Sequence, residues 1–186
     1  MDTKIFLALN FDGGAFLDYI MWTMSHFQIF VFMVLIMIYV LYKNLSRKEF
    51  VFSLLGICLV VLFADQTATI FKHNIPFFRP THTPEIQGLV HTVRDYVGGL
   101  YGTVSGHAAN SFGLAIYISL ISRKRWVIVL FFTFALLTSY SRIYLGVHYP
   151  SQILFGTVVG LISGFLSYKI FSLFRKKYSN DNKTTI

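Results

Sequence analysis

A handful of residues in this chain carry chemistry at spacings that a single site could use: Lys72, Arg79, Ser105, Gly106, His107, Arg142 and His148. Histidine titrates near neutral pH, so His107 and His148 can act as nucleophile, acid or base. Lys72 offers a compact point charge. Arg79 and Arg142 offer planar forks that match phosphate oxygens. Ser105-Gly106-His107 reads as a helix start, where free backbone N–H groups and the helix dipole favour an anion. Gly106 lets backbone approach closely, and Ser105 adds a hydroxyl. Ser141-Arg142, followed by His148-Tyr149-Pro150, frames another helix start, because Pro150 suits a first helical turn. Taken singly, each cluster has an ordinary structural reading: cations snorkelling at a membrane surface, a serine N-cap, an interface turn. Taken together, they point to one bound anion with the charge distribution of a phosphoryl group.

The elements that must hold these residues follow from composition. The chain has 186 residues, of which 55% are hydrophobic, 18% aromatic and only 13% charged. Soluble domains carry roughly 25% charged residues, so this composition points to a membrane protein and excludes a disordered chain. Five stretches approach the roughly 20 apolar residues a crossing helix needs: 26–42, 50–71, 107–121, 126–140 and 153–174. None alternates like a barrel strand, and the third and fourth are predicted to extend into their flanks. Residues 1–25 mix Phe6, Leu7, Phe11, Phe16 and Leu17 with Asp2, Lys4, Asp12 and Asp18, and read as an interfacial segment broken at Gly13–Gly14. A sixth crossing there is the alternative. No secretory signal pattern is visible in it. The expected fold is all-α: a polytopic membrane helix bundle of about five transmembrane helices plus an N-terminal interfacial helix, as one domain over 1–186. A lone cysteine, Cys58, rules out a disulfide framework and is expected to be a packing residue.

Charge then sets the orientation. Lys43, Arg47 and Lys48 follow the first stretch; Arg123, Lys124 and Arg125 follow the third; Arg175, Lys176, Lys177 and Lys183 form a basic tail over 175–186. With five crossings these lie on one side, which the positive-inside rule makes cytoplasmic. The net charge of +8 is thus mainly topology, and nucleic acid is not an expected partner. The opposite side receives 1–25, the 72–106 segment and the turn before Pro150. An outward loop of about 35 residues holding Lys72, Arg79 and Arg94 breaks the charge rule, and its length marks it as functional. A bound anion is the simplest compensation.

The order of the three clusters, KHNIPFFRP at 72–80, VSGH at 104–107 and SRIYLGVH at 141–148, resembles the signature of the type 2 phosphatidic acid phosphatase superfamily. The resemblance covers 72–152 directly. It implies a lipid phosphatase that needs neither metal nor other cofactor and works by double displacement. His148 would be the nucleophile that forms a phosphohistidine. His107 would protonate the leaving oxygen and then activate water. Lys72, Arg79, Arg142, Ser105 and the Gly106 N–H would hold the phosphoryl oxygens. No acidic cluster near them suggests a metal site.

Two positions depart from the family pattern. Val104 stands where the middle motif usually begins with proline. Gln152 stands where an Asp four residues after the nucleophile normally accepts the histidine N–H. Gln152 can accept that bond without charge, or can present its NH2 and favour the wrong tautomer. Asp65 and Asp95 are the expected substitutes for the carboxylate, and Asp65 alternatively pairs with a site cation. The outward site implies a lipid phosphate of the outer leaflet of a bacterial inner membrane, facing periplasm or exterior. Undecaprenyl diphosphate is placed first, with lipid A phosphate, phosphatidylglycerol phosphate and phosphatidic acid as alternatives. A non-enzymatic lipid-phosphate binder or transporter with the same fold is the contrasting reading. Trp22 and Trp126 read as interface anchors, His73, His82 and His91 as surface residues, and Met21, Met24, Met33 and Met37 as packing.

Overall fold

The computed structural model describes residues 1–181, so Lys183 and the end of the basic tail lie outside the described residues. Two short helices, α1 (Asp2–Leu9) and α2 (Gly14–Met24), precede five longer ones: α3 (Phe27–Asn44), α4 (Arg47–Asn74), α5 (Gly106–Ser122), α6 (Arg125–Tyr144) and α7 (Pro150–Asp181). The described residues contain no strand, only an isolated bridge between Phe78 and Tyr101.

The N-terminal break falls where expected. Gly14 adopts φ +78, a left-handed conformation that glycine takes without penalty, and its N–H is held by the Asp12 carboxylate at 2.8 Å. The start of α4 carries a capping box: Ser46 and Glu49 each satisfy the other's free backbone N–H. From there α4 runs 28 residues, about 42 Å at 1.5 Å per residue. That length carries Lys72 past the apolar span to the rim. Cys58 is exposed on α4 rather than packed as expected; exposed apolar side chains such as Leu55 and Leu62 lie on the same helix, which in this bundle is the lipid-facing condition.

Four helices (α3, α4, α6 and α7) are long and apolar enough to cross a membrane. The remaining one, α5, has 17 residues and is the centre of the bundle, packed on α4, α6 and α7. Its burial explains its mixed sequence: a helix enclosed by other helices needs small residues more than lipid-soluble ones. Gly156, Gly160 and Gly164 form a stripe along α7 that faces Ser105, Ala109 and Gly113. A Cβ at Gly156 would lie 2.5 Å from the Ser105 carbonyl, so only glycine allows this approach. The stripe sets α5 against α7 and thereby brings two of the sequence motifs together. Tyr117 anchors the other side, its hydroxyl donating to the Ser53 carbonyl of α4 at 3.0 Å.

The short 44–47, 122–125 and 144–150 connections make successive helices antiparallel. Arg175 pairs with Glu49 at 2.6 Å, tying the end of α7 to the start of α4. The basic segments therefore share one end of the bundle, and the motif residues share the other.

Candidate active site

The motif-bearing end is built by the 75–105 loop folding over the turn between α6 and α7. Two short 3-10 turns, Pro80–His82 and Gln87–Leu89, interrupt its irregular path. Backbone bonds from Arg79 N–H to Leu100 O (3.0 Å) and from Gly102 N–H to Phe77 O (2.9 Å) close it on itself. The Arg79 Nε–H donates to Tyr101 O at 3.1 Å, which fixes its fork. Glycine is required beside it. A Cβ at Gly98 (φ +66) would sit 2.7 Å from an Arg79 terminal nitrogen. One at Gly102 would meet Arg79 Cγ at 2.8 Å, Gln152 Oε1 at 2.9 Å and His148 Nδ1 at 3.2 Å.

His148 lies at the centre and is only 2% exposed. Its Nδ1 is 2.9 Å from Gln152 Oε1 and 3.1 Å from the Gly102 carbonyl oxygen. The Tyr149 N–H also donates to Gln152 Oε1, at 3.3 Å. A backbone N–H can only donate, so the amide oxygen, not the NH2, must face this side. Both atoms against Nδ1 are then acceptors, Nδ1 carries the proton, and Nε2 is left with its lone pair. The wrong-tautomer arrangement that Gln152 could have imposed is thus excluded by Tyr149 and Gly102. Burial, then Arg79 and Arg142, hold the His148 pKa well below its ordinary value, with Lys72 adding to the effect and the Gln152 bond opposing it. The imidazole is neutral at neutral pH, the state a nucleophile needs.

The same three cations, Arg142, Arg79 and Lys72, lie within electrostatic reach of His107. His107 stands exposed on the first turn of α5, with the Ser25 backbone as a hydrogen-bonding partner. Ser105 caps α5: its hydroxyl accepts from Ala108 N–H at 3.4 Å, which leaves its own proton to donate. Ser105 N–H bonds the Gln152 carbonyl at 3.1 Å, joining the second motif to the third. Helix geometry leaves the Gly106 and His107 N–H groups without intrahelical acceptors at that end. Arg142 is 3% exposed, and its Nε has no partner among the described residues. The buried Arg142 and the half-buried Arg79 and Lys72, with Asp65 as the one carboxylate in the field of Lys72, carry a net positive charge suited to a multiply charged anion.

The two acidic candidates do not support His148. Asp65 accepts a hydrogen bond from Asn110 at 2.8 Å and lies in the field of Lys72, which is the cation-pairing alternative. Asp95 is exposed on the loop in a left-handed conformation, φ 55. Val104 is buried at 2% exposure, consistent with a backbone-shaping position. His91, expected at the surface, pairs with Asp18 at 3.1 Å, and Asp18 also accepts from the Tyr144 hydroxyl at 2.6 Å. Asp12, Asp18 and His91 bring three ligand-type atoms within 4.8 Å of one another, but this trio contains none of the phosphate-site residues. Trp22, expected as an anchor, packs inward against Tyr96 and His26.

Sequence reasoning missed the part played by residues 1–25. Asn10, 4% exposed, donates its amide to the carbonyls of His91, Ile143 and Tyr144 at 3.0, 3.1 and 2.7 Å and accepts the His91 N–H at 2.8 Å. Asp2 accepts the Ser151 N–H at 3.2 Å and the Ser151 hydroxyl, capping the first turn of α7. The only sequence signal was an Asp or Asn among apolar residues, which an interfacial helix explains equally well.

Comparison with known proteins places the chain in a family. The model of the PAP2 superfamily matches residues 53–176. The chain is 38% identical over 173 residues to a lipid A 4'-phosphatase of Bacteroides thetaiotaomicron, covering 91% of this chain and 76% of that protein. It is 29% identical to the undecaprenyl-diphosphatase BcrC of Bacillus subtilis, covering 94% of this chain and 86% of that protein. Its fold is similar to the crystal structure of Aquifex aeolicus LpxE, with a TM-score of 0.68 at 23% identity over 90% of this chain and 94% of that one. The helix bundle is thus that of a multi-pass membrane phosphatase, and the chain belongs to the PAP2 superfamily.

Proposed function

We propose that this protein removes phosphate from lipid A, at the 4' position, on the outer face of a bacterial inner membrane. Undecaprenyl diphosphate, first in the sequence reading, gives way to the alternative: the relative with 38% identity is a lipid A 4'-phosphatase, and the undecaprenyl-diphosphatase relative has 29%. The observation that carries the chemistry is the neutral His148, its Nδ1–H held by two acceptors, beside Arg79, Arg142 and Lys72.

The reaction runs in two displacements. His148 Nε2 forms a bond to phosphorus as the phosphorus–oxygen bond to the lipid breaks, and His107 gives its proton to the leaving oxygen. His107 then takes a proton from water, whose oxygen attacks phosphorus and releases His148. The cations stay in place and stabilise charge on the phosphoryl oxygens, so positioning and electrostatics supply most of the rate. No step uses a metal or cofactor.

The test is a substrate panel: purified protein in detergent with a chelator, given bis-phosphorylated lipid A, undecaprenyl diphosphate, phosphatidylglycerol phosphate and phosphatidic acid. Mass spectrometry should find lipid A that has lost the 4'-phosphate, with the highest kcat/KM of the set, and no turnover by His148→Ala. A higher kcat/KM on undecaprenyl diphosphate would refute the substrate assignment. Strict dependence on magnesium would refute the mechanism.

A further inference from the structure

Arg142 is the most buried of the site's cations. No carboxylate bonds it among the described residues, and its Nε is unpartnered. What holds the guanidinium is Tyr96: Nη2 donates to the phenol oxygen at 3.1 Å, and the carbon of the fork lies 5.6 Å from the ring centroid. Tyr96 is itself fixed. Trp22 of α2 meets its ring edge-on, with centroids 5.7 Å apart at 83°, and the Arg94 guanidinium covers Trp22 at 5.2 Å. Tyr96 also packs on the cluster of Met21, Val93, Tyr144, Leu145 and Val147, the last three belonging to the motif that carries Arg142 and His148.

We propose that Tyr96 is a positioning residue, whose hydroxyl aims the Arg142 fork at the phosphoryl oxygens. The reason for a phenol here is electrostatic. A carboxylate in the same place would orient the guanidinium equally well but would neutralise it before the substrate arrives. A neutral acceptor fixes the direction and leaves the full charge for the phosphoryl group. Trp22 and Arg94 stiffen the support, which makes the N-terminal segment a remote part of the anion socket although it lies outside the family match at 53–176.

This inference rests on the phosphatase reading, and the experiment separates the two. Tyr96→Phe removes one oxygen and keeps the ring and its packing. The expected result is a fall of about 10- to 100-fold in kcat/KM, the range for losing a hydrogen bond to a charged group. Inhibition by vanadate should weaken by a similar factor, and the melting temperature should fall by no more than a few degrees, leaving the protein folded under assay conditions. In an Arg142→Lys background, where the fork is gone, Tyr96→Phe should cost almost nothing more. A Tyr96→Phe variant with full kcat/KM and vanadate sensitivity overturns the role of Tyr96, as does a double variant in which the two losses multiply. A wild-type protein that neither hydrolyses a lipid phosphate nor binds vanadate overturns the phosphatase reading itself, and Tyr96's role with it.

Discussion

Replacing Gln152 with Asp should raise turnover about 10-fold. In the folded protein the His148 Nδ1–H is shared between Gln152 Oε1 at 2.9 Å and Gly102 O at 3.1 Å, both uncharged. As Nε2 bonds phosphorus, the imidazole becomes positive, and a carboxylate would stabilise that charge better. A hydrogen bond to a charged group contributes about 1.5–3 kcal/mol against about 0.5–1.5 for a neutral one. The difference of about 1–1.5 kcal/mol corresponds to roughly tenfold in rate. It is far below the roughly 10^4 that an Asp-to-Asn change costs a serine-hydrolase triad, because most of that loss comes from the wrong tautomer. Here the Tyr149 N–H and the Gly102 carbonyl already enforce the right one. The buried carboxylate would be compensated by Arg79 and Arg142, so stability should hold. The companion variant, Gln152→Ala, keeps the Gly102 carbonyl and should lose only about tenfold by the same reckoning. The assay is steady-state phosphate release from a lipid phosphate in detergent, with substrate affinity expected to change little. A loss of 10^3 or more in Gln152→Ala would show that Gly102 does not hold the tautomer; no gain in Gln152→Asp would show that charge at this position is irrelevant.

Four further expectations use different parts of the molecule. A reporter active only outside the cytoplasm should work when fused after Gly88 and stay silent after Arg125; the reverse would put the site on the cytoplasmic face. Because burial and the two arginines depress the His148 pKa, the neutral nucleophile persists as pH falls, so the acid limb of kcat/KM should lie below the ordinary histidine value of about 6.5, and a limb at or above it would contradict the cation socket. Gly160→Val should lower the melting temperature strongly, since any Cβ there runs into the Ala109 carbonyl of α5, and a silent change would mean α5 and α7 pack differently. Asn10→Asp should destabilise by about 1–3 kcal/mol in thermal or denaturant unfolding, because it sets a carboxylate against three carbonyls that now receive an N–H, and an unchanged transition would show that the clasp is not made.

Much of this protein was legible in its residues, and the limits are physical. Composition and apolar run length dictated a helical membrane bundle, because uncovered backbone polar groups cannot exist in hydrocarbon. The basic clusters paired the helix ends before any fold was known. The order of Lys72, Arg79, Ser105, His107, Arg142 and His148 carried the expectation of phosphoryl chemistry, since cations and histidines are residue types that can bind a phosphoryl group and move protons around it. What the sequence left open at Gln152 was a question of direction: an amide has a donor face and an acceptor face, and only a neighbouring N–H, that of Tyr149, decides which one meets the histidine. Asp65 was a reasonable substitute by position along α4, but side-chain reach sent it to Asn110. The roles of Asn10, Asp2, Trp22 and Tyr96 had no local signal that told them from an interfacial helix or an ordinary loop. Their partners lie 46 to 149 residues away for the hydrogen bonds of Tyr96 and Asp2, and periodicity or spacing cannot report contacts made only when distant segments close on one another.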